Sequence, residues 1–139
     1  MQRFNKIAIT TEDGTSTLYI EELKELYHSR NGALTESEFV YINKGLKYWS
    51  KASSVAKCRV LEIGYGTGLV AFLTYLNSSK IKKKIDYTSL EAYPVSTRNL
   101  EELNYNQLFK EKDSTQSFEE FSKLKWELNH QIAPNFSIT

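Results

Sequence analysis

Three observations predict an α/β fold built on a parallel sheet. The strand-like run CRVLEI, residues 58–63, leads directly into a glycine-rich loop, GYGTG. Leu69, Phe72, Leu73 and Leu76 then recur at i, i+3, i+4 and i+7, the spacing of a helix that packs one face on a sheet. A second strand-like run, IDYTSLEAY, follows at residues 85–93. Strand, loop, helix, strand is a crossover unit, and such connections are right-handed and leave their two strands parallel.

The remaining elements fall in order around that unit. Residues 6–20 read as a β-hairpin, because KIAIT and STLYI alternate roughly and Asp13-Gly14 between them tolerates positive φ. The stretch YHSRNGALTES, residues 27–37, is polar and turn-prone, with Asn31-Gly32 as its sharpest turn signal. Thr35 and Glu38 have capping-box spacing. They predict a helix to about Ser50 with Phe39, Ile42, Leu46 and Trp49 on one face. Residues 51–57 form a linker, which divides the chain into a hairpin-and-helix unit, 1–50, and a sheet unit, 51–139.

In the second unit, Asn77 to Ser79 and the basic run Lys80, Lys82, Lys83 and Lys84 separate the helix from the second strand. Pro94 suits a first helical turn, and its helix is expected to pass through Leu100 and Leu103. Ser117 and Glu120 form a second capping box ahead of Phe118, Phe121, Leu124 and Leu128. Pro134 breaks that pattern, and NFSIT begins a third strand. Open α/β sheets usually carry more strands and helices on both faces, so the fold reads as truncated after its second or third strand.

Composition narrows the function classes. The 139 residues allow one ordinary domain, with 18 Lys and Arg against 17 Asp and Glu. A formal charge of +1 excludes polyanion binding by bulk charge alone. The single cysteine, Cys58, cannot close an internal disulfide, and no Cys/His cluster has zinc-ligand spacing, so no metal is expected. No apolar run reaches the ~18 residues of a membrane span, and the N-terminus lacks a signal peptide's apolar stretch. A cytoplasmic protein with no membrane partner is expected.

The chemistry concentrates in Glu62-Ile-Gly64-Tyr-Gly66-Thr-Gly68. Gly64 lets the chain leave the strand in a tight turn, and Gly66 and Gly68 let a ligand approach the backbone. A dinucleotide loop reads G-x-G-x-x-G, but here the last glycine comes one residue early and Leu69 stands in its place. An acidic residue two positions before G-x-G-x-G instead resembles the first motif of S-adenosylmethionine (SAM) methyltransferases. Glu91 follows Gly68 at close to the ~20-residue offset at which an acidic residue meets a ribose.

One family carries the ordered set Tyr27-His28-Ser29, Gly32-Ala33, Glu36-Ser37, FVYINKGL, VLEIGYGTGL, AFLTYL and SLEAYP. Over about residues 6–139 the chain resembles the methyltransferase domain of the bacterial bifunctional protein that makes 5-methylaminomethyl-2-thiouridine in tRNA. It is similar also to that domain's stand-alone homologues. The resemblance implies a Rossmann-like SAM-dependent methyltransferase fold acting on the 5-aminomethyl group of wobble 2-thiouridine. It implies SAM as cofactor and tRNA as partner, together with a C-terminal remainder or a flavin oxidase partner. Glu62, Gly64, Gly66 and Gly68 would line the methionine end of SAM, Glu91 would hold the ribose, and Tyr93 with Pro94 would wall the adenine. Tyr27, His28, Ser29 and Glu36 would form an active-site loop at the C-terminal edge of the sheet.

Plainer roles exist for each. His28 can tie a turn to the core, Ser29 can serve the turn, and Glu36 can favour a helix dipole. The lysine run can touch phosphates or simply face water. Members of the family also carry an Asp-containing motif near a fourth strand, facing the target amine. The aspartates here are Asp13, Asp86 and Asp113, none of which corresponds to it, so the catalytic group is unassigned. Two other readings are an inactive or fragmentary SAM-binding module and an NAD-binding oxidoreductase domain, which fails at Leu69.

Overall fold

The computed structural model describes residues 4–110 and 116–139; Asp113 lies outside the described residues. Two sheets organise the chain. The first has β1 (Lys6–Thr10), β2 (Ser16–Ile20) and a short β3 (Glu25–Leu26), antiparallel in that order. The hairpin is as expected, with Gly14 at φ 83 and its N–H donating to the Thr11 carbonyl at 3.0 Å. β3 is an addition, too short at two residues to leave an alternation pattern.

One helical rod follows, and it differs from the expectation at both ends. It starts at Ala33, because Gly32 occupies the N-cap position, and α1 (Ala33–Ser37) has no capping box from Thr35 and Glu38. Asp13 of the hairpin turn supplies the missing acceptor, taking the Thr35 N–H at 2.8 Å. The rod then continues as a π-helical segment (Glu38–Lys47) and α2 (Tyr48–Ala52). Bonding to i+5 rather than i+4 widens the turn, so the buried residues become Ser37, Ile42 and Leu46. Phe39 is thrown off the face predicted for it and lies 57% exposed, while Trp49 stays packed against the core.

The second sheet has strand order β4-β5-β7-β6. β4 (Lys57–Ile63) and β5 (Lys84–Leu90) are parallel, with Val60 opposite Tyr87 and Glu62 opposite Ser89. Between them runs α3 (Leu69–Ser78), which buries Leu69, Phe72 and Leu73 as its spacing requires. The expected third strand is β7 (Phe136–Ile138), parallel to β5, and the unanticipated β6 (His130–Ala133) pairs antiparallel beyond it. β4 is an edge strand.

Short helices fill the β5–β7 crossover. α4 (Thr97–Glu101) is capped by Ser96, whose side chain accepts from the Asn99 N–H, so Pro94 precedes the helix instead of opening it. Leu103 is buried beyond its end, just before α5 (Tyr105–Leu108). The Ser117–Glu120 capping box is present in full and opens α6 (Phe118–Ser122). That helix stops well before Leu128, which is 52% exposed.

The core is aromatic. The Phe72 ring lies 5.2–5.8 Å from those of Tyr75, Phe109, Phe118 and Phe121, and Tyr75 reaches Phe136 on the sheet. These rings cover the sheet face that carries Ile85 and Tyr87. On the opposite face Leu61, Ile63 and Leu90 are 55–74% exposed, so CRVLEI is a half-buried strand and not a fully buried one. Among the described residues no helix is long and apolar enough to cross a membrane.

Candidate functional site

The site forms where β4 and β5 end together. The Gly64 N–H donates to the Leu90 carbonyl at 2.8 Å, carrying the parallel pairing one residue past the strands. Gly64, Gly66 and Gly68 all have positive φ, at 85, 56 and 78. Two of them have neighbours that only glycine admits. A Cβ at Gly66 would lie 3.2 Å from the Tyr27 ring, and one at Gly68 would lie 2.6 Å from the Tyr65 hydroxyl oxygen. Gly64 faces open space. The expectation that Gly66 and Gly68 clear room for a ligand is thus modified, because the nearest tenants are two tyrosines of this chain. Gly68 also begins α3, its carbonyl accepting from the Phe72 N–H at 3.0 Å.

Glu91 closes the loop. One carboxylate oxygen accepts the Gly66 N–H at 2.9 Å and the other accepts the Tyr93 N–H at 2.8 Å. Each oxygen keeps a further lone-pair direction, so the group can still accept from a ligand hydroxyl. Glu62 lies one strand away and accepts from the Ser89 hydroxyl at 2.7 Å. Burial pushes the Glu62 carboxyl above its usual range; the Ser89 hydrogen bond opposes that shift and the Glu91 charge adds to it.

Two cavities meet at Tyr27. One, of about 700 Å³, is lined by Tyr27, His28, Glu36, Glu62, Gly64 and Gly66, among others. The other, of about 1080 Å³, is lined by Tyr27, Glu91, Tyr93 and Pro94 among others. Burial, and then the Glu91 charge, raise the Tyr27 phenol above its ordinary value. His28 is held through Nδ1, 2.9 Å from the Thr17 hydroxyl on β2. Burial lowers its pKa and the Glu36 charge works against that. Glu36 itself accepts the Ser29 backbone N–H at 2.8 Å.

The structure therefore gathers Tyr27, His28, Glu36, Glu62, Gly64 and Gly66 around one cavity and Glu91 and Tyr93 around its neighbour. Gly68 stands behind the loop as a helix start, and Ser29 acts through its backbone on Glu36. Sequence reasoning missed Ser89 and Thr17, which hold Glu62 and His28, because both depend on strand register. It also missed Tyr65, whose ring meets Trp126 edge-on at 5.3 Å and fastens the glycine loop to the segment before β6.

Two basic features change meaning. Lys83 donates to the carbonyls of Ser53 and Val55 and sits over the Trp49 ring at 5.1 Å, so it fastens a loop. The lysine run ends at Lys84, the first residue of β5, and Glu91 follows the other end of that strand, roughly 20 Å away at ~3.3 Å per residue. His130 contacts the Lys125 carbonyl through Nε2 at 2.8 Å.

No protein-family model matches the chain. An uncharacterized protein of Methanocaldococcus jannaschii is 34% identical over 77 residues, which cover 54% of this chain and 20% of that protein. The crystal structure of MnmC2 from Aquifex aeolicus matches with a TM-score of 0.56 at 26% identity, covering 68% of this chain and 32% of that one. The match supports an MnmC-like relationship. The chain spans about a fifth of the curated relative and about a third of MnmC2.

Proposed function

We propose that this chain is the SAM-binding part of a tRNA methyltransferase that acts on the 5-aminomethyl group of wobble 2-thiouridine. The observation that carries the reading is the bond from the Gly66 N–H to the Glu91 carboxylate, which makes the glycine loop and the β5 carboxylate one unit. The family resemblance and the likeness to MnmC2 support it and point to tRNA as the macromolecular partner.

The residues present fit SAM. The open space at Gly64 is a cradle that a Cβ would intrude on, beside the carboxylate of Glu62. Glu91 offers its remaining lone pairs to a pair of vicinal hydroxyls, and Tyr93 and Pro94 offer an apolar wall beside it. When bound, SAM supplies an electrophilic methyl group. The chain's own task is to hold an amine in line with that methyl, since orientation accounts for ~7–11 kcal/mol of such barriers. Residues 1–50 would furnish the acceptor side, through Tyr27, His28 and Glu36, and residues 51–139 the cofactor side.

A nicotinamide-binding reading is disfavoured by Leu69, which is buried in the first turn of α3 where a third glycine would be needed. Calorimetry with SAM and with NAD tests the cofactor, and transfer of labelled methyl to tRNA bearing 5-aminomethyl-2-thiouridine tests the reaction. Binding of NAD and not SAM would refute the proposal.

A further inference from the structure

Among the described residues, Tyr27 alone lines both cavities of the site. Toward the first cavity its ring edge packs on Gly66, where a Cβ would lie 3.2 Å from Cδ1 and 3.5 Å from Cε1. Toward the second, the Lys6 ammonium lies over the ring, 6.0 Å from its centroid, and Lys6 lines that cavity. The backbone sets this position, because the Tyr27 N–H donates to the Leu18 carbonyl of β2 at 3.0 Å. Burial and the Glu91 charge keep the phenol protonated. At neutral pH the ring therefore presents an uncharged face with the negative quadrupole of an aromatic.

The two cavities divide the proposed cofactor between them. Glu62 and Gly64, assigned to its methionine end, line the first, and Glu91, Tyr93 and Pro94, assigned to its ribose and adenine, line the second. One atom joins those halves of SAM, the sulfonium sulfur that also carries the methyl group. Resting on the methyltransferase reading, we infer that the sulfonium is seated where the cavities meet, against the Tyr27 ring. That ring then distinguishes the charged cofactor from the neutral thioether left after transfer, since an aromatic face attracts a cation and has no such pull on an uncharged sulfide. Lys6 already places a cation over this face from the second cavity. Glu91, whose charge reaches Tyr27, adds to the attraction. Tyr27 loses its hold once the methyl passes to the amine and the C–S electron pair stays on sulfur, which favours release of the spent cofactor.

Calorimetry of the full chain with SAM and with S-adenosylhomocysteine, its demethylated thioether, tests this through the ratio of the two affinities. Tyr27→Leu keeps an apolar side chain beside Gly66 but removes the ring, and it should lower the ratio in favour of the thioether by roughly 3- to 30-fold. Tyr27→Phe keeps the ring and should leave the ratio within about twofold of wild type. A side chain that only supports the loop would weaken both ligands alike. An unchanged ratio in Tyr27→Leu, or an equal fall in Tyr27→Phe, overturns the inference. Ring-carbon NMR of the 13C-tyrosine-labelled wild type gives an answer even where Tyr27→Leu does not fold. The Tyr27 signals, identified by their absence in Tyr27→Phe, should take different positions with the two ligands, and one position for both overturns the inference. If the wild type binds both ligands and Tyr27 is indifferent to the charge, the inference alone fails. If it binds neither, the methyltransferase reading beneath it fails.

Discussion

The Asp13 carboxylate accepts the Thr35 backbone N–H at 2.8 Å across 22 residues of sequence, so the hairpin turn does for α1 what a local cap would otherwise do. The same side chain accepts the Thr15 N–H at 2.9 Å and the Thr11 hydroxyl at 2.8 Å. It lies so close to Gly32 that a Cβ there would run into it. The segment from His28 to Glu36 is therefore pinned from the hairpin side before any ligand arrives.

Asp13→Ala should cost about 1 kcal/mol of stability, the usual worth of a lost cap acceptor. The pH dependence carries a sign. Burial would raise the Asp13 pKa, but the hydrogen bonds from Thr35, Thr15 and Thr11 outweigh it and hold the group well below the usual carboxylate range. A depressed folded pKa contributes stability that is complete above the unfolded value and drains away as pH falls toward the folded one. Urea melts at pH 6 and pH 2.5 should show wild type losing more stability on acidification than Asp13→Asn. Equal losses would mean that the carboxylate holds nothing.

Ser89→Ala should raise the Glu62 pKa further, because the hydroxyl that stabilises its charged form is gone. Glu62 already sits above its ordinary value, so folding favours the protonated form, and stability declines as pH rises through that window. The substitution should therefore cost more at pH 8 than at pH 4, by up to ~1.5–3 kcal/mol for a hydrogen bond to a charged group. Carboxyl-carbon NMR of Glu62 reports the shift directly.

Phe72→Ala should cost ~3–5 kcal/mol, since the ring is fully buried and touches four other aromatic rings. A loss below ~1 kcal/mol in thermal or denaturant melts would show that this cluster is not the stabilising core.

What the sequence showed and what it hid divide along range. The hairpin, the α3 stripe, the parallel pair β4 and β5, and the Ser117–Glu120 box are each written in residues a few positions apart. The misreadings all involve partners far along the chain or a changed helical period. Thr35 and Glu38 have capping-box spacing, but Asp13 took that role from a distant turn. Phe39 follows a 3.6-residue stripe, yet the π-helical segment rotates it into solvent. Lys83 looks like part of a solvated charge run until Trp49 and the carbonyls of Ser53 and Val55 come beside it. Within the candidate site, Glu62 and Glu91 stood out through their spacing to the glycines. Ser89 and Thr17 had no signal, because a hydroxyl that braces a charged or titrating group is visible only once register is known.

Gly66→Val should disorder the loop even without ligand. The backbone φ of 56 strains any β-branched residue, and the new side chain would press on the Tyr27 ring. Hydrogen exchange of the Gly64 and Gly68 amides should speed up in this variant. Unchanged protection would mean that the loop tolerates a side chain there, and that Tyr27 yields.

The central claim is that Glu91 serves both the glycine loop and the cofactor, and SAM calorimetry on wild type and Glu91→Ala tests it most directly. The wild-type chain should bind SAM measurably, and the variant should lose ~1.5–3 kcal/mol, or roughly 10- to 150-fold in affinity. Equal SAM affinity in the two proteins, with both folded, would contradict it.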